Sequence, residues 1–337
     1  MVRTQGSHPC NTGSTLVGAA KYMLLHVIVF IFSFVILFLS SNFLVDVLKR
    51  VCKFLGWKEF VVSFLIVAFA TTIPNFIVGI ISALNKVPQL SFGDVVGTNI
   101  ADLTLIVALS ALVSKAGLSV PSRTVLGSSI FTIGVAISPL VLMLDGDLSR
   151  VDGILLLAAF FFYLAWLFQK KERFEKVYDG VCEPLSSKFF LKNSVLLIFF
   201  VVLLLLSGQG IVKSAVFFSD YFHFPLALIG ILVVGLGTAL PELSFTLQAA
   251  KKSQDWMIVG NVMGSVIMTA TLVLGTVALI SPIIIPDFSP FAIGRIFLII
   301  AAVFFLIFIR TGHKITRKEA VFLLGIYILF VLVEILG

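Results

Sequence analysis

The sequence predicts an all-α membrane protein of ten transmembrane helices, built as two inverted-topology five-helix repeats. Three observations carry this. Of the 337 residues, 59% are hydrophobic and only 12% charged, against about 25% charged in an ordinary soluble chain. Apolar runs of roughly 20 residues, each long enough to cross a bilayer, recur along the whole chain. A block of residues in the first half also returns in the second at one constant offset.

The apolar runs lie near 22–44, 58–84, 90–113, 123–144, 151–169, 190–210, 223–250, 256–281, 290–310 and 318–336. In lipid a lone segment satisfies its backbone groups only as a helix. Residues 1–21 form a polar tail without the apolar core of a cleavable signal, so the first span is read as an uncleaved insertion signal. Residues 170–189 are the one long polar connector, taken as a cytoplasmic linker between a first repeat (22–169) and a second (190–337). No room remains for a sizeable soluble domain. Cys10, Cys52 and Cys182 show no spacing for a disulfide framework or a metal cluster.

Lys and Arg orient the chain. The odd-numbered loops hold 18 of the 24 basic residues and the other side, with the N-terminus, holds 5. Arg295 lies within a span. By the positive-inside rule the odd loops are cytoplasmic and both termini extracytoplasmic. The net charge of +7 is thus spread over short loops, which argues against a nucleic-acid partner. The expected surroundings are a lipid bilayer, in the cell membrane. DVLKRVCKFLGW, carrying Lys49, Arg50 and Lys53, reads as a short amphipathic stretch suited to the membrane surface.

An odd number of spans per half forces the second half to run upside down relative to the first, as in many secondary transporters. The repeat is legible residue by residue. Thr71, Pro74 and Ala83 match Thr238, Pro241 and Ala250. Gly93, Val95, Gly97 and Ile100 match Gly260, Val262, Gly264 and Ile267. Each pair is 167 apart, without a gap.

Polar residues concentrate in the repeated block, TTIPN…GDVVGTNIAD in the first half and TALPE…GNVMGSVIMT in the second. Proline inside a helix frees a carbonyl about four residues back, here near Ala70 and Thr71, and near Gly237 and Thr238. Irregular backbone at membrane depth is tolerated where it lines a cavity, and carbonyl oxygens suit hard cations. Thr71 and Asn75 share one helix face, as do Thr238 and Glu242. Asp94, Thr98 and Asp102 form a second stripe, whose repeat mates are Asn261, Ser265 and Thr269. The donor set is oxygen-rich and lacks His and Cys, which argues against zinc or copper. With no Lys or Arg in these spans apart from Lys58 at the start of the second, mobile cations or protons must compensate the buried carboxylates.

At these residues the sequence resembles the calcium/cation antiporter superfamily, in particular the sodium/calcium exchangers. The family signature is a repeated G-[TS]-S-x-P-E block followed by G-N-x-x-G-S-N. The short linker lacks the large regulatory domain of animal exchangers, which implies the compact prokaryotic form. The resemblance implies secondary active antiport of Ca2+, or another divalent cation, against Na+, with inorganic cations as transported partners, no covalent cofactor and no enzymatic activity. It implies Glu242 as a ligand of Ca2+ or Na+, oxygens from Thr71, Thr72 and Thr238, and sodium sites lined by Thr98 and Ser265. The chain departs from the pattern at Asn75, where the family has glutamate, at Thr269, where relatives often carry an acid, at Ala239 in place of the block's serine, and at Asp102, where many carry asparagine. The cage is therefore expected to hold two carboxylates, Asp102 and Glu242, with Asn75 and Thr269 completing it. Two carboxylates suit one divalent ion exchanged against fewer than three Na+, or against protons.

Other readings stand beside this one. A proton-coupled or monovalent cation exchanger of the same fold, a cation channel and a non-transporting family member are the functional alternatives. An intramembrane enzyme would want a histidine in the site, and His8, His26, His223 and His313 lie elsewhere. Asp94, nearer the outer end of its span, reads as an entrance or helix-terminus carboxylate. Asp102 has interhelical bonding to Asn75 or Thr269 as an alternative role. Gly93, Gly97, Gly260 and Gly264 read as close-packing positions. Asn99 either lines the cavity or bonds a neighbouring helix, while Thr104 and Thr271 bond back to helix carbonyls. In relatives the first span of each half slides. Ser40, Ser41 and Asn42, with Ser207, Gly208 and Gly210, are expected as flexible ends for that motion. A monomer is expected.

Overall fold

A computed structural model of the chain describes residues 12–54, 67–114, 117–120, 123–169, 187–285 and 289–336. Ten helical runs follow one another. They are α1 (Thr12–Phe54), α2 (Val67–Leu84) and α3, which continues from Pro88–Ala101 through a π-helical turn, Asp102–Ile106, into Val107–Val113. Next come α4 (Arg123–Leu142), α5 (Arg150–Gln169) and α6 (Ser187–Phe222). α7 is broken into Leu226–Ile229, a π turn at Gly230–Val234, Gly235–Thr238 and Leu240–Lys251. α8 runs from Asp255–Ile267 through a π turn at Met268–Val273 to Leu274–Ile280. α9 (Ser289–Arg310) and α10 (Arg317–Leu336) complete the chain. Among the described residues nine helices are long and apolar enough to cross a membrane, and α2 contributes the shorter apolar stretch Ala68–Leu84. Residues 58–66 of the expected second span, 170–186 of the linker, 1–11 of the tail and 55–57 of the amphipathic stretch lie outside the described residues.

Burial separates an inner set of helices from an outer one. Of the apolar window in Pro88–Val113, 83% is buried, and 78% of that in Met257–Ile280; for Lys21–Ser41 the share is 22%. A polar stripe survives only where protein surrounds it, so the helices bearing Asp94, Asp102 and Asn261 occupy the centre. α1 and α6, whose exposed residues include Leu24, Phe32, Ile198 and Leu206, pack along each other. Their seam is aromatic: His26 stacks on Phe217 with centroids 3.8 Å apart, and Phe43 stacks on Phe200.

The two halves pack as equivalent copies. α10 packs on the Val107–Val113 end of α3, and α5 packs on the Leu274–Ile280 end of α8. Four two-residue strands tie the halves together. β1 (Leu118–Ser119) pairs antiparallel with β4 (Lys314–Ile315), and β2 (Asp147–Leu148) with β3 (Ile283–Ile284). The first ribbon joins two odd loops, and the Ser119 N–H donates to Asp255 Oδ2 of a third at 3.0 Å. The second joins two even loops, where Gln89 Nε2 also reaches the Ile284 carbonyl at 3.1 Å. Odd loops therefore meet at one end and even loops at the other.

Two expectations change. α1 and α6 extend past the apolar cores at 22–44 and 190–210. Ser40 and Ser41, and Ser207, Gly208 and Gly210, consequently sit inside continuous helix rather than at flexible ends. They pack instead: Ser207 Oγ bonds the Leu204 carbonyl at 2.9 Å, and a Cβ on Gly208 would come within 2.8 Å of Ile77.

Close packing at Gly93 and Gly97 fixes α3 against α7. A Cβ on Gly93 would collide with the carbonyl oxygen of Ala227, and one on Gly97 with that of Ile231. Only hydrogen fits at either position. This contact sets the distance between the polar stripe of α3 and the broken part of α7.

Candidate cation site

α2, α3, α7 and α8 bring two polar groups to the centre of the molecule, related to each other by the offset of 167. In the first, Thr238 Oγ1 donates to Asp94 Oδ1 at 2.6 Å. Asn75 Nδ2 faces both Asp94 oxygens at 3.3 Å, and Thr98 Oγ1 and Thr238 Oγ1 at 2.9 Å each. Thr98 Oγ1 lies 3.1 Å from the Gly235 carbonyl oxygen. In the second group, Thr71 Oγ1 lies 3.3 Å from Asn261 Oδ1 and 3.2 Å from the Ala68 carbonyl. Ser265 Oγ donates to Glu242 Oε1 at 3.4 Å, and the π turn that Asp102 opens packs against the helical segment that contains Glu242. Every one of these side chains is at most 3% exposed.

Local structure explains the placement. α7 breaks at Ala239, between Gly235–Thr238 and Leu240–Lys251. Pro241 and Glu242 therefore open a new helical segment at the centre. In the first half α2 stays continuous through Pro74, and the carbonyl expected to be free at Ala70 accepts a bond from Ser41 Oγ at 3.0 Å. α1 satisfies that group, so it does not stand open to a cavity. Asp102 begins the π turn of α3, and its mate Thr269 lies in the π turn of α8. A π turn shifts the register of the side chains beyond it, and nothing in either local sequence announces one.

Each candidate has a definite position. Asn75, Thr98 and Thr238 gather around Asp94. Thr71, Glu242 and Ser265 form the second group with Asn261. Thr72 Oγ1 turns back to the Ala68 carbonyl at 2.7 Å. Thr269 Oγ1 lies 2.6 Å from Asn99 Oδ1 and 2.9 Å from the Ser265 carbonyl, so Asn99 does join α3 to a neighbouring helix. Thr104 and Thr271 bond to the Ile100 and Ile267 carbonyls. Asp94 departs most from expectation. It is fully buried, not at an entrance, because α7 covers the outer turns of α3. The buried carboxylates in this region are therefore three rather than two. Asn261 and the Gly235 and Ala68 carbonyls also join the groups; the register relating Asn261 to Asp94 was the signal for the first of these.

The unsatisfied atoms indicate what the site can do. Asn75 Oδ1, both oxygens of Asp102 and Glu242 Oε2 have no hydrogen-bond partner among the described residues, and neither has Asn261 Nδ2. Asp102 therefore makes no interhelical bond to Asn75 or Thr269. Leaving buried acceptors unpaired is costly, and four of these five atoms are acceptors. No Lys or Arg occurs in 67–84, 88–113, 226–250 or 255–280. Among the described residues no three of His, Cys, Asp and Glu gather around one point; Asp94 and Asp102 are about 12 Å apart along α3 by helical rise. Each group thus offers one or two carboxylates with hydroxyl, amide and carbonyl oxygens, a donor set suited to hard cations.

Comparison with known proteins gives a consistent result. The family model described as sodium/calcium exchanger protein matches twice, at residues 25–169 and 192–336. Both bounds of the second match are displaced by 167 from the first (192 less 25, 336 less 169), which is the register read from the sequence. The sodium/calcium exchanger MaX1 of Methanosarcina acetivorans is 26% identical, over 91% of this chain and 97% of its own length. The inner membrane protein YrbG of Escherichia coli is 25% identical over 91% and 96%. Among solved structures, the sodium-calcium exchanger NCX_Mj soaked with 100 mM Na+ and 10 mM Sr2+ matches at 25% identity with a TM-score of 0.62, covering 92% of this chain and 98% of that one.

Proposed function

Because the chain belongs to the sodium/calcium exchanger protein family, we propose that it is a secondary active antiporter exchanging Ca2+ against Na+ across the membrane. The family is one of transporters, and the chain is a multi-pass membrane protein of two inverted five-helix repeats. The observation that carries the proposal is the set of unpartnered buried acceptors, on Asn75, Asp102 and Glu242, with no Lys or Arg in 67–84, 88–113, 226–250 or 255–280 around them. Only mobile positive charge is available to balance them. In this reading Glu242, Asp102, Asn75, Thr71, Thr238, Thr98 and Ser265 hold the ions, while Thr72 and Thr269 support them.

Antiport requires that the site be exposed to one side at a time and that the empty carrier not return freely. The central helices are locked by glycine contacts and by interhelical bonds, whereas α1 and α6 pack mainly on each other along the outside. We take that pair as the element that moves, carrying Ser41 past the Ala70 carbonyl. The distribution of basic loops favours extracytoplasmic termini in a cell membrane. The repeats 22–169 and 190–337, joined by 170–189, act within one monomer.

The test is ion flux in proteoliposomes. Calcium uptake should require an outward sodium gradient and cease when potassium replaces sodium, with Glu242→Gln inactive. Uptake independent of any sodium gradient would point to a channel or a proton-coupled exchanger and sink the proposal, and so would an active Glu242→Gln.

A further inference from the structure

The internal repeat and the side-chain contacts together assign an ion-binding role to Asp94. Two positions in each half matter: 75 and 94 in the first, 242 and 261 in the second, related by the offset of 167. The second half has a carboxylate then an amide, Glu242 and Asn261. The first has an amide then a carboxylate, Asn75 and Asp94. We propose that the first half has moved its ion-binding carboxylate from position 75 to position 94, so that Asp94 is the negative ligand of the first group and Asn75 the neutral one. This rests on the antiport reading above.

The contacts support an exchange of places. In the second half a hydroxyl reaches each partner: Ser265 reaches Glu242, and Thr71 reaches Asn261. In the first, the equivalent hydroxyls of Thr98 and Thr238 meet Asn75 and Asp94. The same scaffold thus holds either order of amide and acid. With the acid at 94, the Thr238 hydroxyl lies 2.6 Å from Asp94 Oδ1. The Asn75 amide must turn its Nδ2 toward the carboxylate, because an ionised Asp only accepts. That orientation leaves Asn75 Oδ1, fully buried and without a partner among the described residues, as a further acceptor beside Asp94. An isolated structural aspartate would need no such second acceptor.

The experiment measures binding and transport separately. Radiolabelled calcium is equilibrated with the purified full chain in detergent, and flux is followed in proteoliposomes, for wild type, Asp94→Asn, Asp94→Glu and the exchange variant Asn75→Glu/Asp94→Asn. Asp94→Asn should weaken calcium binding at least about tenfold, as loss of a charged ligand does, and abolish flux. The exchange variant should regain most of the binding, since it copies the order that Glu242 and Asn261 already use. Calcium binding unchanged in Asp94→Asn would overturn the proposal, as would a folded exchange variant no better than Asp94→Asn. If the exchange variant does not fold, Asp94→Glu decides: it keeps the charge and should bind calcium better than Asp94→Asn, and equal weakness in both counts against the proposal. A wild-type protein that carries calcium without any sodium dependence would refute the antiport reading, while the binding comparison would still decide the role of Asp94.

Discussion

Thr238 Oγ1 lies 2.6 Å from Asp94 Oδ1, whereas its repeat mate Thr71 lies 3.3 Å from Asn261 Oδ1. The same contact is made twice, once to a carboxylate and once to an amide. Bonds to an ionised acceptor are shorter and roughly twice as strong. Thr238→Val should therefore cost about 1–3 kcal/mol in stability, and Thr71→Val about 0.5–1 kcal/mol. Thermal unfolding of the two variants in detergent measures the difference. Equal losses would show that the acid at 94 adds nothing to its bond.

Asp102 is fully buried, and neither of its oxygens has a hydrogen-bond partner among the described residues. Such a group lowers the stability of the ion-free protein and is worth keeping only for what it binds. Asp102→Asn should raise the stability of the ion-free protein by on the order of 1 kcal/mol. It should also remove the stabilisation by calcium, which in the wild type is about 2.7 kcal/mol at roughly a hundred times Kd. Unfolding scans with and without calcium read both effects. A variant less stable than the wild type in the absence of ions would mark Asp102 as a structural residue.

The α3–α7 contact predicts a steric contrast between two glycines. A Cβ on Gly97 meets the Ile231 carbonyl, whereas one on Gly134 of α4 meets nothing within 4 Å. Gly97→Ala should cost at least about 1–3 kcal/mol through overpacking, and Gly134→Ala should stay within about 0.5 kcal/mol of the wild type. Monodispersity and thermal unfolding compare them directly. A well-folded, unchanged Gly97→Ala would mean that α7 is free to move away from α3.

The fold was legible because its two signals are global. Apolar runs mark spans wherever they occur, and a repeat at constant offset reports equivalence without knowledge of contacts; the doubled family match has the same register. The polar stripes were legible for a related reason, since helical spacing alone puts Asp94, Thr98 and Asp102 on one face. What escaped depends on neighbours. Asp94 looked like an entrance residue because distance from the helix end was taken for distance from the centre, and α7 covers that turn. The carbonyl at Ala70 looked free because its partner, Ser41, lies on another helix. The π turns at Asp102–Ile106 and Met268–Val273 have no sequence signature. The expected cage of two carboxylates left out Asp94, whose burial adds a third carboxylate to the region.

With Asp94 as an ion ligand, as proposed above, charge counting predicts a different transport cycle from the one expected for two carboxylates. Asp94, Asp102 and Glu242 are all buried in stretches without Lys or Arg (88–113 and 226–250). Calcium leaves the trio with one unbalanced negative charge, whereas monovalent ions can neutralise it fully. A low-dielectric site favours the neutral filling, so the sodium-to-calcium ratio should be roughly three to one by charge balance. Exchange then moves one net positive charge in the direction of sodium. In vesicles loaded with sodium, an inside-positive potential set by a potassium gradient and an ionophore should accelerate calcium uptake, and an inside-negative one should slow it. Uptake indifferent to the imposed potential would mean that only two of the three carboxylates take part in the cycle.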